Sequence, residues 1–80
     1  MVTTYEMFNN EADGPRHETW RIEATRLPTG PYQLTTQGPD DHRASGPSHA
    51  TEEAALDAGR ESLIRRAHGR GLKLREAGAR

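Results

Sequence analysis

The sequence predicts a small α+β domain, ordered β-β-β-α, in which a three-stranded antiparallel sheet is covered on one face by one C-terminal helix. Three observations predict it. Residues 17–36 alternate apolar and polar side chains about a Pro-Thr-Gly turn. Residues 51–68 carry a helical apolar stripe between a good N-cap and a basic last turn. The chain has 80 residues, which allows one domain at most.

The first strand is predicted over residues 2–8, a stretch rich in Thr and aromatics with no Gly or Pro. Its facing stays open, because Tyr5 and Met7 share one side while Val2 and Phe8 share the other. Residues 9–16 (NNEADGPR) form a polar turn region with Gly14-Pro15 near its end.

The hairpin that follows is the strongest local signal. Trp20, Ile22 and Ala24 lie on one side of the second strand, with Arg21, Glu23 and Thr25 on the other. Tyr32 and Leu34 alternate with Gln33 and Thr35 in the third. Between the strands, Pro28 suits the first central position of a type I turn and Gly30 the left-handed bulge position after it. A three-residue loop sets Leu27 opposite Pro31, which pairs Ala24 with Leu34, Ile22 with Thr36 and Glu23 with Thr35. That register keeps one face apolar and the other polar, and a slip of one residue would mix them. The next stretch, residues 38–50, has two Gly-Pro pairs and nothing apolar larger than Ala, so it reads as a long loop.

Thr51 is the expected N-cap of the helix, with Glu52 and Glu53 placed favourably for the helix dipole. Arg65, Arg66 and His68 fill the last turn, and Gly69 reads as the C′ residue. On a helical wheel Leu56, Leu63 and Ala67 centre the apolar stripe, with Ala55, Gly59 and Ile64 at its margins. A glycine in mid-helix costs about 1 kcal/mol relative to Ala, so Gly59 is expected to allow a close approach, with the Trp20 ring as the expected neighbour. The domain then spans residues 1–69. Residues 70–80 are either a mobile basic tail or a short edge strand, and Gly71, Gly78 and the terminal position favour the mobile tail.

Composition narrows the chemistry. Leu, Ile, Val and Phe together number ten, fewer than most folded domains carry, but a net charge of −1 lacks the charge excess of a disordered chain. A core this lean is one that self-association can complete. Without cysteine there is neither a disulfide nor a thiolate metal site, so a reducing setting fits. The first ten residues show no secretory pattern and no stretch reaches the ~18 apolar residues of a membrane span, so a cytoplasmic location is expected. Abundant Arg, Gly, Ala and Pro beside a single Lys suggest a bacterial, GC-rich source.

No catalytic, cofactor or metal motif emerges. The four histidines (His17, His42, His49 and His68) show no i, i+4 pair of the helical zinc type. His42 follows Asp40-Asp41, the one place where a carboxylate could polarise an imidazole, and a small hydrolase there is a third-ranked reading. The run His68-Gly69-Arg70-Gly71 has glycines after a helix C-terminus, where the dipole repels a phosphate.

Charge is uneven. Residues 1–59 carry ten acids against four bases, whereas residues 60–80 carry seven bases against two acids. Arg65, Arg66, Arg70, Lys73 and Arg75 are therefore the candidate contacts for nucleic acid or an acidic partner. Strands followed by a helix invite comparison with double-stranded-RNA-binding domains, but the acidic start Thr51-Glu52-Glu53 stands where that family places lysines. The hairpin, the Gly- and Pro-containing loop, and the run Thr51-Glu52-Glu53-Ala54-Ala55-Leu56 with Ala58 and Leu63-Ile64 resemble the bacterial HicB-type antitoxin half-domain over residues 17–67. That resemblance implies a regulatory protein partner and no catalysis. The expected function is a non-enzymatic protein-interaction or regulatory module, with an unknown protein or a second copy as partner. Nucleic-acid binding is the alternative.

Overall fold

The computed structural model describes residues 1–9 and 17–79, so the polar turn region expected around Gly14-Pro15 lies largely outside the described residues. The elements are β1 (Val2–Phe8), β2 (His17–Arg26), β3 (Tyr32–Gln37), β4 (Arg43–His49), α1 (Glu52–Gly69) and β5 (Lys73–Ala79). They form one antiparallel sheet in the order β4-β3-β2-β1-β5 with the helix on one face. The α+β class holds, and the three-stranded sheet is corrected to five strands.

The central hairpin forms in the register its turn chemistry dictates. Arg21 pairs with Gln37, Ile22 with Thr36 and Ala24 with Leu34. The Leu27 N–H donates to the Pro31 carbonyl at 2.8 Å, and Gly30 takes φ +111°. β1 pairs with β2 so that Thr3, Tyr5 and Met7 are buried on the helix side, which settles the facing of the first strand.

Two strands escaped the sequence pattern, for different reasons. β4 occupies most of the expected loop. Its side chains are largely exposed, and Gly46-Pro47 falls at a register shift against β3, a bulge on an edge strand where a missing N–H is tolerated. Backbone pairing holds it, with no apolar face to announce it. The turn leading into it is tight. The His42 N–H donates to the Pro39 carbonyl at 3.1 Å, and Asp40 and Asp41 take φ of 57° and 59°. This is type I′ geometry, whose twist suits a hairpin. A left-handed L-residue costs roughly 1–2 kcal/mol, and glycine there returns about half of that as chain entropy. Asp41→Gly is therefore expected to stabilise the fold by about 0.5 kcal/mol, read as a higher denaturant midpoint at unchanged m-value. An unchanged or lower midpoint would count against the I′ assignment.

β5 is the short edge strand of the two alternatives for residues 70–80, rather than the favoured mobile tail. Thr51 caps the helix as expected, its Oγ1 accepting from the Ala54 N–H at 3.1 Å. At the other end Gly69 remains helical and Arg70 is the C-cap, while Gly71 takes the C′ position with φ 69°. The Leu72 N–H donates to the Ala67 carbonyl at 2.8 Å and the Gly71 N–H to His68 at 3.1 Å, which is a Schellman motif. Leu72 and Ala67 both join the core, so the motif turns the chain directly into β5. Gly71→Ala is expected to cost about 1 kcal/mol, because the left-handed backbone penalises a Cβ. A loss below a few tenths in equilibrium unfolding would remove this role.

The helix buries Ala55, Gly59, Leu63 and Ala67, a row four residues apart. Leu56, placed at the centre of the stripe from sequence, is half-buried at its margin. A Cβ on Gly59 would lie 2.9 Å from Leu34 Cδ1 and 3.0 Å from Ile22 Cδ1. The close approach is real, but its neighbours are Ile22 and Leu34 rather than Trp20. Trp20 instead packs under Gly38, where an added Cβ would stand 2.5–2.8 Å from three ring carbons.

Candidate functional site

The five basic candidates do not share one surface. Arg66 holds its guanidinium 4.9 Å from the Trp20 ring centroid. Arg70 makes a bidentate pair with Glu18 at 2.6 and 2.8 Å, which raises its already high pKa. The same Glu18 accepts from Trp20 Nε1 at 3.2 Å, and His42 meets the ring edge-on with centroids 5.3 Å apart. These contacts tie the helix C-terminus to β2 and to the β3–β4 turn. The His42 imidazole, which the sequence sets beside Asp40-Asp41, packs against Trp20.

Lys73 and Arg75 lie on the far side of the sheet. They pair with Phe8 and Glu6, whose alternation places them opposite the helix face. Arg75 Nε donates to Glu6 Oε2 at 2.6 Å, its guanidinium carbon sits 4.7 Å from the Phe8 ring centroid, and His17 Nε2 lies 3.4 Å from Glu6 Oε1. The Arg75 hydrogen bond holds the Glu6 carboxyl below its usual range, with smaller help from His17. A carboxylate whose pKa is depressed by folding contributes stability above its unfolded value, and that contribution disappears as pH falls through the folded value. Arg75→Gln is expected to flatten the acid limb of the stability–pH curve below about pH 4.3. An identical limb in the variant would show the pair to be neutral. Arg65, the fifth cation, lines a cleft of about 290 Å³ between the helix and β3–β4, where half-buried His49 has an Nε2 with no hydrogen-bond partner among the described residues.

A larger cleft lies elsewhere. The helix packs chiefly on β2 and β3, leaving a cleft of about 560 Å³ beside β1 and β5. Thr3 and Tyr5 come from β1, Leu56, Asp57, Arg60 and Ile64 from the helix, and Leu74 and Glu76 from β5. Tyr5 is buried, and burial raises its phenol pKa, with Glu76 and Asp57 adding to the rise and Arg60 opposing it. Leu56, Ile64 and Leu74 are half-buried, so apolar and charged groups alternate around the opening. Sequence reasoning missed this cleft because it requires β5, which completes its wall. The alternation of Leu72 and Leu74 with Lys73 and Arg75 was the one signal for that strand.

No three His, Asp or Glu side chains gather as metal ligands among the described residues, and no described helix is long and apolar enough to cross a membrane. The fold and cleft define a small α+β protein with a five-stranded antiparallel sheet, one helix and an open edge strand. In comparisons with known proteins the chain matches no family model, no curated protein and no solved structure.

Proposed function

We propose that the chain is a non-enzymatic protein-interaction module that takes an extended partner segment along β5. The observation that carries this is that β5 ends the sheet on the side where it also walls the 560 Å³ cleft. An edge strand offers a row of backbone donors and acceptors, and side chains alternating from an added strand would enter the cleft. Both edge strands carry a register shift, at Gly46-Pro47 in β4 and at Ala77 in β5, but only β4 also loses an N–H to proline, which makes it the less suited edge. A regulatory role in a bacterial cytoplasm is part of the same proposal, in keeping with the HicB-type resemblance.

The nucleic-acid alternative asks Arg65, Arg66, Arg70, Lys73 and Arg75 to act together, whereas Arg66 and Arg70 are held in the Trp20–Glu18 cluster and Lys73 and Arg75 lie on the opposite face of the sheet. A displayed library of extended peptides, followed by amide exchange with the enriched binders, tests the proposal. Binders are expected to slow exchange in β5 and leave β4 unchanged. Protection of β4 alone, or no enrichment, would overturn it.

A further inference from the structure

We infer that the segment β5 accepts is an alternating strand, with acidic side chains on the open face of the sheet and apolar ones on the helix side. The inference rests on the strand-addition reading and adds the chemistry of the occupant. Directly opposed residues in an antiparallel pair share a face. An added strand therefore meets two different rows. On the open face it meets Lys73 and Arg75, both exposed and two residues apart. On the helix side it meets Leu74, with Ile64 and Leu56 beyond it in the cleft, and Glu76 ends that row. Glu6 takes the Nε side of Arg75 and leaves the rest of its guanidinium facing outward, since the side chain is 61% exposed. A carboxylate from the added strand completes that fork.

A second copy of the chain is a poor occupant on the same grounds. Let two β5 strands extend one sheet with both helices on one side. Registers centred on residues 73–76 then oppose Lys73 to Lys73, Lys73 to Arg75, Arg75 to Arg75 or Glu76 to Glu76, and like charges directly opposed destabilise. Turning the second copy over removes the clash but sets apolar Leu74 on the polar open face of the other sheet.

The probes are three nine-residue peptides titrated against the whole chain by fluorescence anisotropy, with amide exchange on the complexes. The first alternates Asp and Val, the second alternates Lys and Val, and the third has the Asp and Val residues in two blocks. The Asp/Val peptide is expected to bind, to protect β5 amides, and to exceed the other two by roughly tenfold. Lys73→Glu, at an exposed position, is expected to narrow that preference for the Asp/Val peptide over the Lys/Val peptide several-fold without changing the melting temperature. Equal binding of the Lys/Val peptide with β5 protected would overturn the acidic partner and leave strand addition standing. Failure of every peptide to protect β5 would overturn both. Concentration-dependent sedimentation with β5 protection in the free chain would show a second copy to be the occupant and would also overturn the inference.

Discussion

Trp20→Ala is expected to destabilise the fold by about 3–5 kcal/mol, the usual cost of deleting a buried large aromatic side chain. An 80-residue domain holds roughly 4–12 kcal/mol in total, so this one change consumes much of it. Trp20 is 3% exposed and is the hub between β2, the β3–β4 turn and the end of the helix. Removing the ring takes the surface from under Arg66, His42 and the Gly38 backbone together. Far-UV circular dichroism in a denaturant series reads the loss, since the chain has one tryptophan and tryptophan fluorescence disappears with it. A loss below about 1 kcal/mol would contradict the packing described. Gly38→Ala gives the complementary test. Its Cβ meets rigid ring atoms at 2.5–2.8 Å, so overpacking is expected to cost about 1–3 kcal/mol. In a Trp20→Leu background that penalty should largely vanish, and a double-mutant cycle measures the coupling. Additive losses would mean that Gly38 is needed for some reason other than the ring.

The second large effect falls on Leu63. The buried row of the helix is Ala55, Gly59, Leu63 and Ala67, so a single large side chain fills the space beneath it. Leu63 is 1% exposed within the cluster of Met7, Ile22, Leu34 and Trp20. Leu63→Ala is expected to cost about 2–5 kcal/mol, toward the upper end, because the small residues above and below it cannot swing in to fill the cavity. Leu56→Ala is expected to cost clearly less, since Leu56 is half-buried at the cleft margin. Equal losses at the two positions would show that the helix is rotated from the orientation described.

The β2–β3 hairpin and the helix were legible in the chain itself. Local rules govern both, because the Pro28-Thr29-Gly30 turn sets the register and side-chain alternation sets the face. Thr51 and the two acids after it mark the helix start for a similar reason, since capping is chemistry within one turn. The candidate site was less legible. The sequence could offer five basic residues, but the partners Glu18, Glu6 and Trp20 are distant in sequence, and only folding brings them to Arg70, Arg75 and Arg66.

What the sequence determined by itself was therefore the class, the central register, the polar and apolar faces, and the start of the helix. Each of these follows from side-chain period or from hydrogen bonds between near neighbours. Tertiary structure alone decided that residues 43–49 and 73–79 are strands, that Gly38 lies on Trp20 while Gly59 lies on Ile22 and Leu34, and that a cleft opens beside β5. Edge strands gain their order from the backbone of a neighbour, and the brief alternation of Leu72 to Arg75 does not by itself separate a strand from a tail until β1 pairs with it.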